Sequence, residues 1–256
     1  MEDILFKITE LKKSGKKAAL CIIVETTGSS PRKAGSKMLV LEDGSIYGSI
    51  GGGTLEYKVI EDAQKILLEN TPGKFVYELE EDLSMHCGGS AEIYIEPIIP
   101  SLRLFIFGAG HIGKALAKYA PEFGFSVILI DPRKEIIEQS DPKCVELICE
   151  DFAIAVNKLN FDRHSFIVIL TPKHAYDEEV LALCAKREFA YLGMIGSKTK
   201  VALARKRLIE EKILNQRELD KVDMPIGIKF NAQTPEEIAI SILAKLIDVK
   251  NSGNEK

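Results

Sequence analysis

The sequence predicts an α/β protein in two parts: an N-terminal α+β domain with a mixed sheet, and a C-terminal domain on a parallel sheet. Three observations predict it. A length of 256 residues suits two domains or one large one. The first half reads helix, three strands, helix, two strands. The second half alternates short apolar runs with helical segments, which implies right-handed crossovers and a parallel sheet. Between the halves, Glu96-Pro-Ile-Ile-Pro-Ser101 restricts the backbone and favours an extended connection. The expected domains are therefore 1–99 and 100–256.

In the first half, Ile4, Leu5, Ile8 and Leu11 fall on one face of a helix over residues 2–14. The continuous apolar run 18–24 reads as a buried strand, followed by a polar turn over Glu25–Arg32. Met38–Leu41 and Ile46–Ile50 flank Glu42-Asp-Gly-Ser45, a hairpin signal. Leu55–Leu68 is helical, and 75–79 and 91–96 alternate like strands. The order suggests an antiparallel or mixed sheet.

In the second half, strands are expected over Leu102–Phe107, Ser126–Ile130, Glu146–Cys149, Phe166–Leu170 and Ala190–Ile195. Helices are expected over Ile112–Tyr119, Ala175–Arg187 and Thr199–Glu211. Thr234-Pro-Glu-Glu237 is a capping box with proline at the first helical position, opening a helix over Glu236–Val249.

Composition narrows the function classes. Lysine and arginine total 34 against 38 acids, a net charge of −4, so the basic excess of a nucleic-acid binder is missing. No run of 18 apolar residues predicts a membrane span, and the acidic, amphipathic start reads as no signal peptide. The five cysteines are odd in number and lack CxxC spacing, which disfavours a disulfide scaffold or a four-ligand zinc site. The cytoplasm is the expected compartment.

The clearest chemical motif is Gly108-Ala-Gly110-His111-Ile-Gly113, between a predicted strand and a predicted helix. The first glycine turns tightly, the second admits a phosphate to the backbone, and the third packs helix on strand. Asp131 lies 23 residues after Gly108, where a carboxylate accepts ribose hydroxyls, and Arg133 follows as a candidate for a 2′-phosphate. The second half is thus expected to be a Rossmann-like domain, whose glycines either hold a nucleotide or serve packing alone.

Other candidates are spread along the chain. Gly51, Gly52 and Gly53 precede a helix with Thr54 as a plausible N-cap. They form either a phosphate cradle or a flexible turn. Cys87, beside His86 and before two glycines, is a nucleophilic or sulfur-carrying thiol, a soft metal ligand, or an inert turn residue. His174 follows a parallel strand and suits acid–base work, ligand contact or helix capping. Gly196 and Ser197 end the next strand and complete the same crevice. Arg32 and Lys33 are candidates for phosphate pairing.

Several of these segments together resemble the XdhC/CoxI family of xanthine dehydrogenase accessory proteins. The resemblance rests on residues 25–40, Gly48-Ser-Ile-Gly-Gly-Gly-Thr-Leu-Glu56, Cys87-Gly-Gly-Ser-Ala-Glu-Ile-Tyr-Ile-Glu-Pro97 and Leu104–Gly113. It continues through Tyr191-Leu-Gly-Met-Ile-Gly-Ser-Lys198, Met224-Pro-Ile-Gly227 and Thr234–Ala239. It implies a factor that binds molybdenum cofactor, supports its sulfuration and passes it to an apo molybdenum hydroxylase, with a cysteine desulfurase as second partner. On that reading Cys87 is the thiol near the cofactor, and the two glycine-rich helix starts are phosphate cradles. Many members carry a cysteine where this chain has Thr54, which can hydrogen-bond a phosphate but carries no sulfur. A homodimer is a reasonable arrangement. The competing expectation is an NAD(P)-dependent oxidoreductase using Gly108–Gly113 and Asp131, with His174 as proton donor. A third is a redox or regulatory module sensing a nucleotide.

Overall fold

The computed structural model describes residues 4–79, 89–140 and 145–252. It divides into two compact units, Met1–Pro100 and Ser101–Lys256.

The first unit runs α1 (Ile4–Lys13), β1 (Ala18–Gly28), β2 (Lys37–Leu41), β3 (Ile46–Gly48), α2 (Gly53–Glu69), β4 (Gly73–Glu78) and β5 (Gly89–Ile98). Its five strands lie in the order β3-β2-β1-β5-β4, and every pairing is antiparallel. The expectation of an antiparallel or mixed sheet thus resolves to the antiparallel form. Alternate residues of β1 point to opposite faces. Ala19, Cys21 and Ile23 meet Leu55, Val59 and Ala63 of α2. Ala18 and Leu20 meet Leu11 of α1 on the other face. Helices on both faces explain why the run reads as continuously apolar. The larger of these side chains, such as Ile23, Leu55 and Leu11, contribute about 1.5–3 kcal/mol each once buried.

β1 is longer than its apolar run. Glu25, Thr26 and Thr27 pair with Glu92, Ala91 and Ser90 after a register shift between Ile23 and Glu25. The expected polar turn is therefore partly strand, because threonine suits a half-exposed edge of pleat. β3 ends at Gly48, two residues early, since its φ of +84° leaves the strand region.

The second unit runs β6 (Leu102–Phe107), α3 (His111–Tyr119), β7 (Phe125–Ile130), α4 (Lys134–Ile137), β8 (Val145–Ile148), α5 (Phe152–Lys158), β9 (Ser165–Ile169), α6 (His174–Cys184) and β10 (Tyr191–Met194). It closes with α7 (Lys198–Glu210), α8 (Gln216–Leu219) and α9 (Pro235–Ser252). The strands are parallel in the order β10-β9-β6-β7-β8. That is the doubly wound arrangement with its switch point between β6 and β9. One face packs Leu104, Ile106 and Leu129 against Leu116 of α3 and Ile242 and Leu246 of α9. The other packs Phe105, Phe107 and Ile167 against Phe152, Val180 and Val201 of α5, α6 and α7. The Thr234 capping box forms as expected: the Glu237 amide donates to Thr234 Oγ1 at 3.2 Å, and Glu237 Oε2 accepts the Thr234 amide at 3.0 Å.

Candidate functional site

At the switch point the chain leaves β6 through Gly108 and enters α3 at His111. Gly108 has φ +118°, and a Cβ there would lie 2.2 Å from the Leu170 carbonyl oxygen. A Cβ on Gly113 would lie 1.9 Å from the Gly108 carbonyl oxygen. Both glycines are therefore demanded by packing. Gly110 differs, since a Cβ there would meet nothing within 4 Å. It is the N-cap of α3, with no side-chain hydrogen bond to the first turn. No side chain caps these donors at the positive end of the helix dipole, Gly110 is half-buried, and His111 is exposed beside it.

Asp131 directly follows β7, as expected, but its carboxylate is fully buried. Oδ2 accepts the Ala109 amide at 2.8 Å and Arg133 Nη2 at 2.7 Å. Oδ1 accepts the Arg133 amide at 3.0 Å and Nε at 2.8 Å. Burial alone would raise this carboxyl, yet the guanidinium and the two amides outweigh it and hold it below the usual carboxylate range. The carboxylate expected to receive ribose instead ties the glycine turn to β7. The arginine expected to hold a 2′-phosphate is its clamp.

The carboxyl ends of β9 and β10 carry a second cluster. Asp177, in α6 and buried, accepts the Thr171 hydroxyl at 2.6 Å and the Thr171 amide at 3.0 Å on Oδ1. Its Oδ2 lies 3.3 Å from His174 Nδ1. Burial pushes the Asp177 carboxyl up, against the opposing effect of those donors. On the far side of the ring, Lys200 Nζ lies 2.7 Å from His174 Nε2. An ammonium only donates, so Nε2 accepts and Nδ1–H faces Asp177. His174 is the first residue of α6 rather than its cap, which is Lys173. Ser197 caps α7, its Oγ accepting the Lys200 amide at 3.3 Å. His174, Gly196 and Lys200 line one cavity of about 180 Å³.

In the first unit, Gly51 and Gly52 have φ +135° and +78°. Their amides are not open to a phosphate. Glu56 Oε1 accepts the Ile50, Gly51 and Gly52 amides at 3.0, 3.2 and 2.8 Å, and the Ser49 hydroxyl at 2.6 Å. The expected cradle thus holds the chain's own carboxylate. Gly53 opens α2 and Gly52 caps it, so Thr54 lies inside the helix rather than at its N-cap. The Arg32 side chain lies beside this turn, its Cγ 3.6 Å from where a Gly51 Cβ would stand. Arg32 is exposed; its carbonyl oxygen accepts the Ser30 hydroxyl at 2.9 Å, and its guanidinium has no partner among the described residues.

Of the cysteines, Cys21 and Cys184 are buried, and burial pushes both thiols up to about 12. Cys149 is exposed, with its thiol 3.7 Å from the Pro132 carbonyl oxygen. Cys87, with His86, lies outside the described residues. Among the described residues no helix is long and apolar enough to cross a membrane.

Comparison with known proteins decides the family. A family model for the XdhC Rossmann domain matches residues 104–246, and one for the XdhC and CoxI family matches residues 11–78. The chain belongs to the XdhC and CoxI family. An uncharacterized protein, YqeB, of Escherichia coli K12 is 34% identical over 98% of this chain and 47% of its own length. A probable xanthine dehydrogenase subunit of Bacillus subtilis is 30% identical over 64% of this chain and 48% of its own. The chain therefore spans about half the length of these two relatives. The molybdenum cofactor insertion chaperone PaoD of E. coli K12 is 22% identical over 96% of this chain and 88% of its own length. A crystal structure of a xanthine dehydrogenase from Bacillus halodurans superposes with a TM-score of 0.53 at 26% identity, covering 98% of this chain and 96% of that one.

Sequence reasoning on this XdhC/CoxI chain missed the roles of Glu56, Asp177 and Lys200. The signals were local for two of them. Glu56 sits one turn into α2, where its side chain can fold back on the amides before the helix. Asp177 stands three residues after His174, on the same helical face. Lys200 reaches His174 from another helix, and no local spacing announces that contact.

Proposed function

We propose that this chain acts in the maturation of a molybdenum hydroxylase of the xanthine dehydrogenase type. It holds molybdenum cofactor as cargo, supports its sulfuration and passes it to the apoenzyme. One observation carries the reading: the amino end of α3 is uncapped by any side chain, with open space at Gly110. A phosphate monoester suits such donors, and the cofactor's pterin ends in one. The likeness to PaoD and to a probable xanthine dehydrogenase subunit supports the same reading. Gly51 and Gly52 serve as a second phosphate cradle only if Glu56 is displaced, whereas Arg32 offers a guanidinium beside them that pairs with no carboxylate of the described residues. Cys87 is the proposed thiol for the sulfuration step. A cysteine desulfurase is the proposed sulfur source, a homodimer the proposed assembly and the cytoplasm the proposed compartment. The role is that of a carrier more than a turnover enzyme. The oxidoreductase reading gains no support from Asp131, because a ribose diol would have to break its pair with Arg133.

The test is retention of cargo. Protein purified from a host that makes the cofactor is expected to carry oxidisable pterin fluorescence and to activate an apo-hydroxylase. Gly110→Asp places a carboxylate where the phosphate would bind and is expected to lower retention by about tenfold or more. Background pterin in the wild type, or unchanged retention in that variant, refutes the reading. Saturable NAD(P)H binding with turnover of a small substrate would favour the oxidoreductase instead.

A further inference from the structure

The cavity at the carboxyl ends of β9 and β10 is distinct from the glycine turn, and no step of the proposed maturation uses it. Its charged groups balance unevenly. Arg207 pairs with Glu178 across it. Asp177 is buried and engaged by Thr171 and His174. Among the described residues, the Lys200 ammonium has one side-chain partner, a ring nitrogen of His174. Lys200 lines the cavity, and no carboxylate of the described residues pairs with it.

The rest of the lining is apolar. Met194, Ile195, Val201 and Ala204 line the cavity, and Leu203, 62% exposed, lies at its rim. Exposed leucine beside an unneutralised cation suits a ligand with one charged end and one greasy end. The volume of about 180 Å³ falls below the roughly 300–1,000 Å³ of drug-sized sites. The ligand is therefore small.

We infer that this cavity binds a small organic anion, its acidic group held by Lys200 beside His174 and its apolar body against Val201 and Leu203. The hydrogen bond from Lys200 to a neutral nitrogen is exchanged for a charge-assisted one to the anion. The Asp177 carboxylate fixes the imidazole beneath it, so His174 is a positioning residue for the ammonium. The inference does not depend on the maturation role, and its failure leaves that role standing.

Phenyl phosphate serves as the probe, with inorganic phosphate and phenol as its two separated halves, in calorimetry on the full chain carrying Gly110→Asp, which closes the turn proposed to take a phosphate monoester. Phenyl phosphate is expected to bind about tenfold or more tighter than either half. Lys200→Met is expected to weaken it by about tenfold or more. His174→Gln, on the same background, is expected to weaken it less. Two results overturn the inference: no binding of phenyl phosphate on the Gly110→Asp background, or unchanged binding when Lys200→Met is added to it. Phosphate binding as tightly as phenyl phosphate overturns the apolar half of it. Lys200 and His174 lie at the surface of the unit, and circular dichroism of each variant confirms that it is folded.

Discussion

The Glu56 carboxylate closes on the Gly52 amide at 2.8 Å and fills an anion-binding turn from within. Glu56→Gln keeps the shape and removes the charge. The expected loss of stability is about 1–2 kcal/mol in denaturant at pH 7. Burial alone would raise this carboxyl, but the Ser49 hydroxyl and three amides outweigh it and hold it below the usual range. A carboxyl depressed in the folded state stabilises above its unfolded value, about 4.3, and loses that contribution as pH falls through the lower folded value. The gap between wild type and variant should therefore narrow below about pH 4. A gap that is constant with pH refutes the assignment.

Asp131 depends on Arg133. The carboxylate is fully buried, while the arginine side chain is 36% exposed. Arg133→Met leaves a buried charge with amides alone and is expected to cost about 3 kcal/mol, the lower end for a broken buried pair. Thermal unfolding should show a fall of roughly 6–12 °C. A change within 1 °C would mean that Arg133 contributes nothing to holding this carboxylate.

The glycines of the switch point should separate sharply. Gly113→Ala drives a methyl into the Gly108 carbonyl oxygen, 1.9 Å away, and is expected to abolish soluble folded protein. Gly110→Ala adds a methyl to open space at φ −68° and is expected to cost no more than about 1 kcal/mol, the scale of an N-cap change. Equal behaviour of the two variants contradicts the geometry.

The thiols should separate too. Cys149 is expected to react with a disulfide reagent in the native protein within minutes. Cys21 and Cys184, buried and pushed up to about 12, should stay unlabelled until the chain unfolds. Peptide mass spectrometry after native labelling distinguishes them, and early modification of Cys21 would contradict its place between β1 and α2.

Much of this architecture was legible because it repeats a simple period. The run 18–24 announced a strand covered on both faces, and the alternation after Leu102 announced a parallel sheet. Short helices were not legible. α4 and α8 span four residues each, less than any period needs to show itself. The glycine turns were found but only half understood. Glycine in a sequence says that backbone comes close to something; it does not say whether that is a ligand, as space at Gly110 allows, or Glu56, as at Gly52.

By itself the chain of residues determined two sheets, their longer helices and the turn from β6 into α3. These follow from local spacing, which backbone sterics and burial translate directly into structure. Only the tertiary structure decided what each polar group faces. Asp131 turned inward to Arg133, Glu56 took the amides, and Lys200 came to His174 from a separate helix. Such pairings depend on where distant elements pack, and electrostatic partners are chosen by distance in space rather than by order along the chain.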